Sequence, residues 1–195
     1  ISYLFIKYIK QMYTNDFYIQ GFTSAKKTIH ELVDSIDNQT FNTPPAEDKW
    51  CIGEIISHLI KTNTEYLAVL ENKILGDTSG LKKGNGPYKH PFHMRWFIKI
   101  VSPEFKKAIP TIPPFEPKEI KDLDKSELLS EFDAIQDRYL KLLDKVSKEN
   151  LHLGKIKVGN PIYPLIKMSL SACFAVNEAH QRRHFQQIEE ILAQS

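Results

Sequence analysis

Ala179-His180-Gln181-Arg182-Arg183-His184-Phe185 lies inside a run from Ile166 to Ala193 that contains neither glycine nor proline. Such a run predicts one uninterrupted helix. With about 3.6 residues per turn, His180 and His184 fall about 40° apart on one face, one turn along. That face also carries Leu170, Cys173, Asn177, Gln187 and Ile191, an alternation of three and four that reads as the seam of a helical bundle. The two histidines therefore point toward packed neighbours. Imidazoles one turn apart can share a metal ion, and a further ligand must then come from another helix.

Upstream, three more helices are legible. Asp124 as N-cap and Glu127 at N3 open one, and Leu128, Phe132, Ile135, Tyr139, Leu142 and Val146 continue it at bundle spacing. Another begins after Trp50, with Cys51 at the N-cap and Glu54 at N3, and runs to about Leu75. Its apolar positions are Ile52, Ile55, Ile56, Leu59, Tyr66, Leu70 and Ile74, and His58 flanks them. The first covers about Asp16 to Ile36, with Gly21 as a weak point, and Thr40 to Pro45 ends it. Gly76 to Pro91 is a glycine-rich loop, and His93 to Val101 reads as a short helix. Pro103 to Pro117 holds five prolines, which exclude helix and central strand and mark a long crossover. Gly154 to Pro164 is a second loop, and no stretch alternates as a strand does. The expectation is an all-α four-helix bundle with long crossover connections.

A chain of 195 residues, 42% hydrophobic and 26% charged, suits one domain with a sizeable core, here residues 16–195 after an extension over 1–15. Ile1 to Gln11 is too short to span a membrane and lacks a signal-peptide pattern. No later run approaches a membrane span. A net charge of +2 from scattered basic residues leaves no footprint for nucleic acid. Two cysteines, Cys51 and Cys173, make no disulfide framework, so a reducing, cytoplasmic setting is expected. Cys173 on the histidine face reads as a small buried apolar residue.

A pair of histidines four apart is a weak signal by itself. Zinc proteases with this spacing need a glutamate after the first histidine, and Gln181 cannot accept a proton there. His58 alone reads as a satisfied core or boundary residue, but it is the one partner offered by another long helix. His30 lies off the apolar stripe and reads as solvated, and His90 and His93 read as loop residues. Asn177 and Glu65 are candidates to orient the rings, with ordinary helix positions as the simpler reading. Glu54 is better explained by the cap than as a base. Arg182 and Arg183 read as a solvated helix edge, and Phe92, Trp96 and Phe97 as core or pocket mouth.

Trp50-Cys51-Ile52-Gly53-Glu54-Ile55-Ile56-Ser57-His58-Leu59, with the later His180-Gln181-Arg182-Arg183-His184-Phe185-Gln186-Gln187-Ile188, resembles the DinB/YfiT-like superfamily. The order of helices and the proline-rich crossover extend the likeness over nearly the whole chain from Asp16. Cys51 departs from the serine or threonine usual at the cap. The resemblance implies a four-helix bundle holding a divalent metal, often zinc or nickel, on His58, His180 and His184. It implies a small-molecule substrate: some members transfer low-molecular-weight thiols to electrophiles and others are described as metal-dependent hydrolases. It also implies a possible homodimer.

Overall fold

Thr14 starts the first helix by accepting a hydrogen bond from the Phe17 amide at 3.1 Å. The structure, a computed structural model, describes residues 12–117 and 122–194. Residues 1–11, including most of the expected extension, lie outside the described residues. Helix α1 spans Asn15–Val33 and buries Tyr18, Phe22, Ala25, Ile29 and Val33. It continues through Gly21, where glycine is needed for space: a Cβ there would sit 2.8 Å from Cγ of Glu178. The weak point expected at Gly21 is thus a close helix–helix approach.

The chain leaves α1 three residues before the expected Ile36. Lys125 is the reason, donating through Nζ to the carbonyls of Val33 (3.2 Å), Asp34 (3.2 Å) and Ile36 (2.6 Å). A cation on the final carbonyls closes the helix where the macrodipole is negative. A short helix, α2, follows over Asn38–Asn42, capped by Asp37.

Helix α3 runs Ile52–Ile74 behind the Cys51 cap. The capping box forms despite the thiol: Cys51 Sγ accepts from the Glu54 amide at 3.4 Å, and Glu54 accepts from the Cys51 amide at 2.8 Å. Helix α4 spans Phe92–Ile100, and Pro113–Phe115 forms one 3₁₀ turn inside the proline-rich crossover. Helix α5 covers Lys125–Lys148 from its Asp124 cap.

The last helix starts later than expected, and two short strands precede it. Strands β1 (Lys157–Gly159) and β2 (Lys167–Ser169) pair antiparallel. At three residues each they are too short to show alternation in sequence. Ser169 then accepts from the Ala172 amide at 3.1 Å, so α6 spans Leu170–Leu192 and not the run from Ile166.

Helices α1, α3, α5 and α6 form the bundle. Both α1 and α3 pack against both α5 and α6. The links from α1 to α3 and from α5 to α6 therefore cross diagonally. The interior has two apolar layers. One centres on Phe22 stacked on Tyr139 at 4.2 Å, with Phe174 edge-on to both; the other joins Ile29, Ile55, Ile56, Leu59, Phe132, Phe185 and Ile188. A polar belt separates them, including Asn63, Gln136 and Gln181, each at most 1% exposed. Gln181 Nε2 donates to Asn63 Oδ1 at 3.1 Å across this belt. His180 sits beside Gln181, so the histidine face lies where the apolar core is interrupted. Among the described residues, no helix is long and apolar enough to cross a membrane.

Candidate metal centre

The facing surfaces of α3 and α6 bring His58, His180 and His184 together, with ligand atoms all within 4.8 Å of one another. His180 Nε2 lies 3.3 Å from His58 Nε2 and 3.0 Å from His184 Nε2. The neighbouring atoms fix two of the three tautomers. His58 Nδ1 donates to the Phe115 carbonyl at 2.5 Å, and His184 Nδ1 donates to Gln187 Oε1 at 2.9 Å. In the neutral rings, Nε2 of both residues then carries a lone pair. His180 Nδ1 has no hydrogen-bond partner among the described residues, so His180 Nε2 either donates to one of these lone pairs or adds a third that shares a cation with them.

The two spacings that His180 makes fit such a cation. Tetrahedral ligands at about 2.05 Å from zinc stand about 3.3 Å apart, close to the 3.0 and 3.3 Å found here. The donor set is also right, since three neutral imidazoles suit zinc and nickel. Burial pushes the basicity of all three rings below the ordinary histidine range. His58 is lowered chiefly by burial, with the Phe115 carbonyl opposing. His180 falls well below it through burial and the neighbouring His184 and His58. His184 is pushed down to about 3 by burial and then His58. The rings are thus unprotonated and available as ligands near neutral pH.

Trp50 forms one wall, its ring 4.9 Å from that of His58. Beyond the rings opens a cavity of about 240 Å³, lined by Thr62, Tyr66, Phe97, Val101, Ile112 and Val176 among others. Arg183 holds its roof. The guanidinium donates to the carbonyls of Ile100 (3.4 Å), Ser102 (3.2 Å), Phe105 (2.5 Å) and Lys107 (2.8 Å). Arg182 is engaged too, donating to Glu178 at 2.6 Å. Both arginines therefore depart from the solvated edge expected of them.

Several other expectations meet different outcomes. Glu65 is exposed, away from the buried face of α3 that carries His58. Asn177 donates to the Cys173 carbonyl at 2.8 Å within its own helix and leaves the rings alone. The orienting partners are instead the Phe115 carbonyl and Gln187. Gln187 was visible three residues after His184, whereas a backbone carbonyl from the crossover leaves no sequence signal. Cys173 is fully buried in the apolar core. His30 is half-exposed and bonded to Asp34 and Asp133 at 2.9 and 3.2 Å, and that contact with Asp34 raises its basicity. His93 is exposed, but His90 is buried, its Nε2 2.8 Å from Ser171 Oγ. Phe97 lines the cavity, whereas Phe92 and Trp96 face outward.

The profile of the DinB superfamily matches residues 22–188. The chain belongs to the DinB superfamily. The matched span contains all three converging histidines. Among solved structures, the chain resembles YfiT from Bacillus subtilis, described as a probable metal-dependent hydrolase with an unusual four-helix bundle topology. The TM-score is 0.58 at 15% identity, over 92% of this chain and 86% of YfiT. That likeness bears on the fold, and the diagonal links described above accord with an unusual bundle topology. No curated protein matches the sequence.

Proposed function

We propose that His58, His180 and His184 hold a divalent cation, zinc or nickel, and that this DinB-superfamily member transfers a low-molecular-weight thiol to small apolar electrophiles. When bound, the cation supplies the charge that keeps a thiol as thiolate, the nucleophilic form, near neutral pH. The observation that carries the reading is the composition of the cavity. Three convergent imidazoles stand at its end, its other walls are mainly apolar, and no carboxylate lines it among the described residues. Thiolate attack needs no further base, whereas hydrolysis gains from a carboxylate that shuttles protons.

The chain's own contributions are positional. The Phe115 carbonyl and Gln187 keep Nε2 of two rings unprotonated and aimed inward. Phe97, Val101, Ile112 and Val176 surround the electrophile and exclude water that would compete with the thiol. The new sulfur–carbon bond forms as the leaving group departs with its bonding pair. Protein loaded with zinc or nickel should conjugate a small electrophile that the cavity can hold, such as chloroacetone, with at least one of a panel of cellular thiols. Lack of metal-dependent conjugation with every thiol would overturn the reading. Hydrolysis is the second reading, favoured by the description of YfiT, and thiol-independent cleavage of an ester or amide panel would support it.

A further inference from the structure

Thr62 stands one turn after His58 on the buried face of α3 and lines the same cavity. It is 5% exposed, yet its Oγ1 has no hydrogen-bond partner among the described residues. A helical threonine ordinarily satisfies its hydroxyl on the carbonyl four residues back. Thr64, on the same helix, does so with Ile60 at 2.8 Å. Thr62 forgoes the equivalent bond to His58. Leaving a buried hydroxyl unpaired is costly, and such groups in a cavity mark places where a ligand supplies the missing partner.

The remaining lining constrains that ligand. Tyr66, Phe97, Val101, Ile109, Ile112 and Val176 offer mainly carbon. At about 30 Å³ per water-sized unit, the 240 Å³ cavity holds about eight non-hydrogen atoms. Residues four apart on a helix keep their Cβ atoms about 6 Å apart, so one small molecule can meet both the histidine cluster and Thr62. We propose that the cavity takes an apolar molecule of about this size bearing a carbonyl or carboxylate oxygen, and that the Thr62 hydroxyl donates to that oxygen. The inference rests on the metal-centre reading and names the substrate class for it. Thr62 is on this account a specificity-determining residue.

The test uses the full chain loaded with cobalt(II), titrated with short carboxylates and with butanethiol and followed by the cobalt absorption bands. Wild-type affinity should rise about threefold to fourfold per methylene from acetate to hexanoate and fall by decanoate. Thr62→Val should take up cobalt as wild type does, bind butyrate about tenfold more weakly and bind butanethiol, which lacks an oxygen, unchanged. Thr62→Ser should restore butyrate binding. Thr62→Val should also melt at or above the wild-type temperature without metal, since an unpaired buried hydroxyl has been removed. Equal butyrate affinity in wild type and Thr62→Val, with cobalt bound in both, overturns the inference and leaves the metal centre standing. Weakened binding of both probes would mean a general change of cavity shape and also overturns it. Failure of wild type to show cobalt bands removes the metal centre itself, and this inference with it.

Discussion

Replacing Arg183 by alanine should loosen the crossover that roofs the cavity. Of its four carbonyl contacts, those to Phe105 (2.5 Å) and Lys107 (2.8 Å) are short, and those to Ser102 (3.2 Å) and Ile100 (3.4 Å) are long. Two good bonds from a charged donor contribute about 3 kcal/mol, and freeing the side chain returns about 1 kcal/mol, so the net loss is about 2 kcal/mol. For a chain of this size that lowers the melting temperature by about 4–8 °C. The local effect is more diagnostic than the global one. Lys106 and Lys107 are exposed and lie in the segment that Arg183 holds, so trypsin should cut there much faster in Arg183→Ala while the rest of the bundle resists. Arg183→Lys should recover part of the protection, because an ammonium is a single point donor without the guanidinium fork. Unchanged melting together with unchanged cleavage after Lys106 and Lys107 would refute this account of the roof.

Three further outcomes follow from other sites. Burial holds His90 down at about 4 in the folded chain, so between pH 6.5 and 4 the unfolded chain binds the extra proton and stability falls as pH falls. The His90→Gln variant should flatten that part of the stability profile by about 2–3 kcal/mol relative to wild type, as denaturant titration at both pH values would show. Gly21→Ala should destabilise by about 1 kcal/mol in the same assay, because the contact at 2.8 Å with Glu178 outweighs the better helix propensity of alanine. Cys51→Ser should keep or raise the melting temperature, since oxygen is the better acceptor at this cap, whereas Cys51→Ala should cost about 1 kcal/mol.

Helices α3 and α5 were legible because each carries both an apolar stripe and a cap. Asp124 and Glu127 marked α5, and Cys51 and Glu54 marked α3 even with sulfur in place of oxygen. The start of α6 was misplaced because Ile166 to Ser169 has no breaker: only pairing with Lys157–Gly159 keeps it extended. The end of α1 was set by Lys125, 92 residues from Val33 along the chain, and no local pattern records such a contact. The histidine positions could be read from spacing and family likeness. Their orientation could not, because it depends on the Phe115 carbonyl, and every residue type has a carbonyl. Arg183 leaves no signal for a related reason: its partners are all backbone carbonyls, at the end of α4 and in the segment that follows it. His90 lies in a loop, as its sequence context indicates, but its burial has no local signal, because it comes from Tyr13 and Ser171 packing over it.

The most direct measurement is elemental analysis of untagged protein after equilibration with zinc and removal of the unbound ion, beside the His58→Ala/His184→Ala variant. The account predicts one zinc per wild-type chain and none in the variant, with both proteins helical by circular dichroism. A metal-free wild type, or equal zinc in the two proteins, would contradict it.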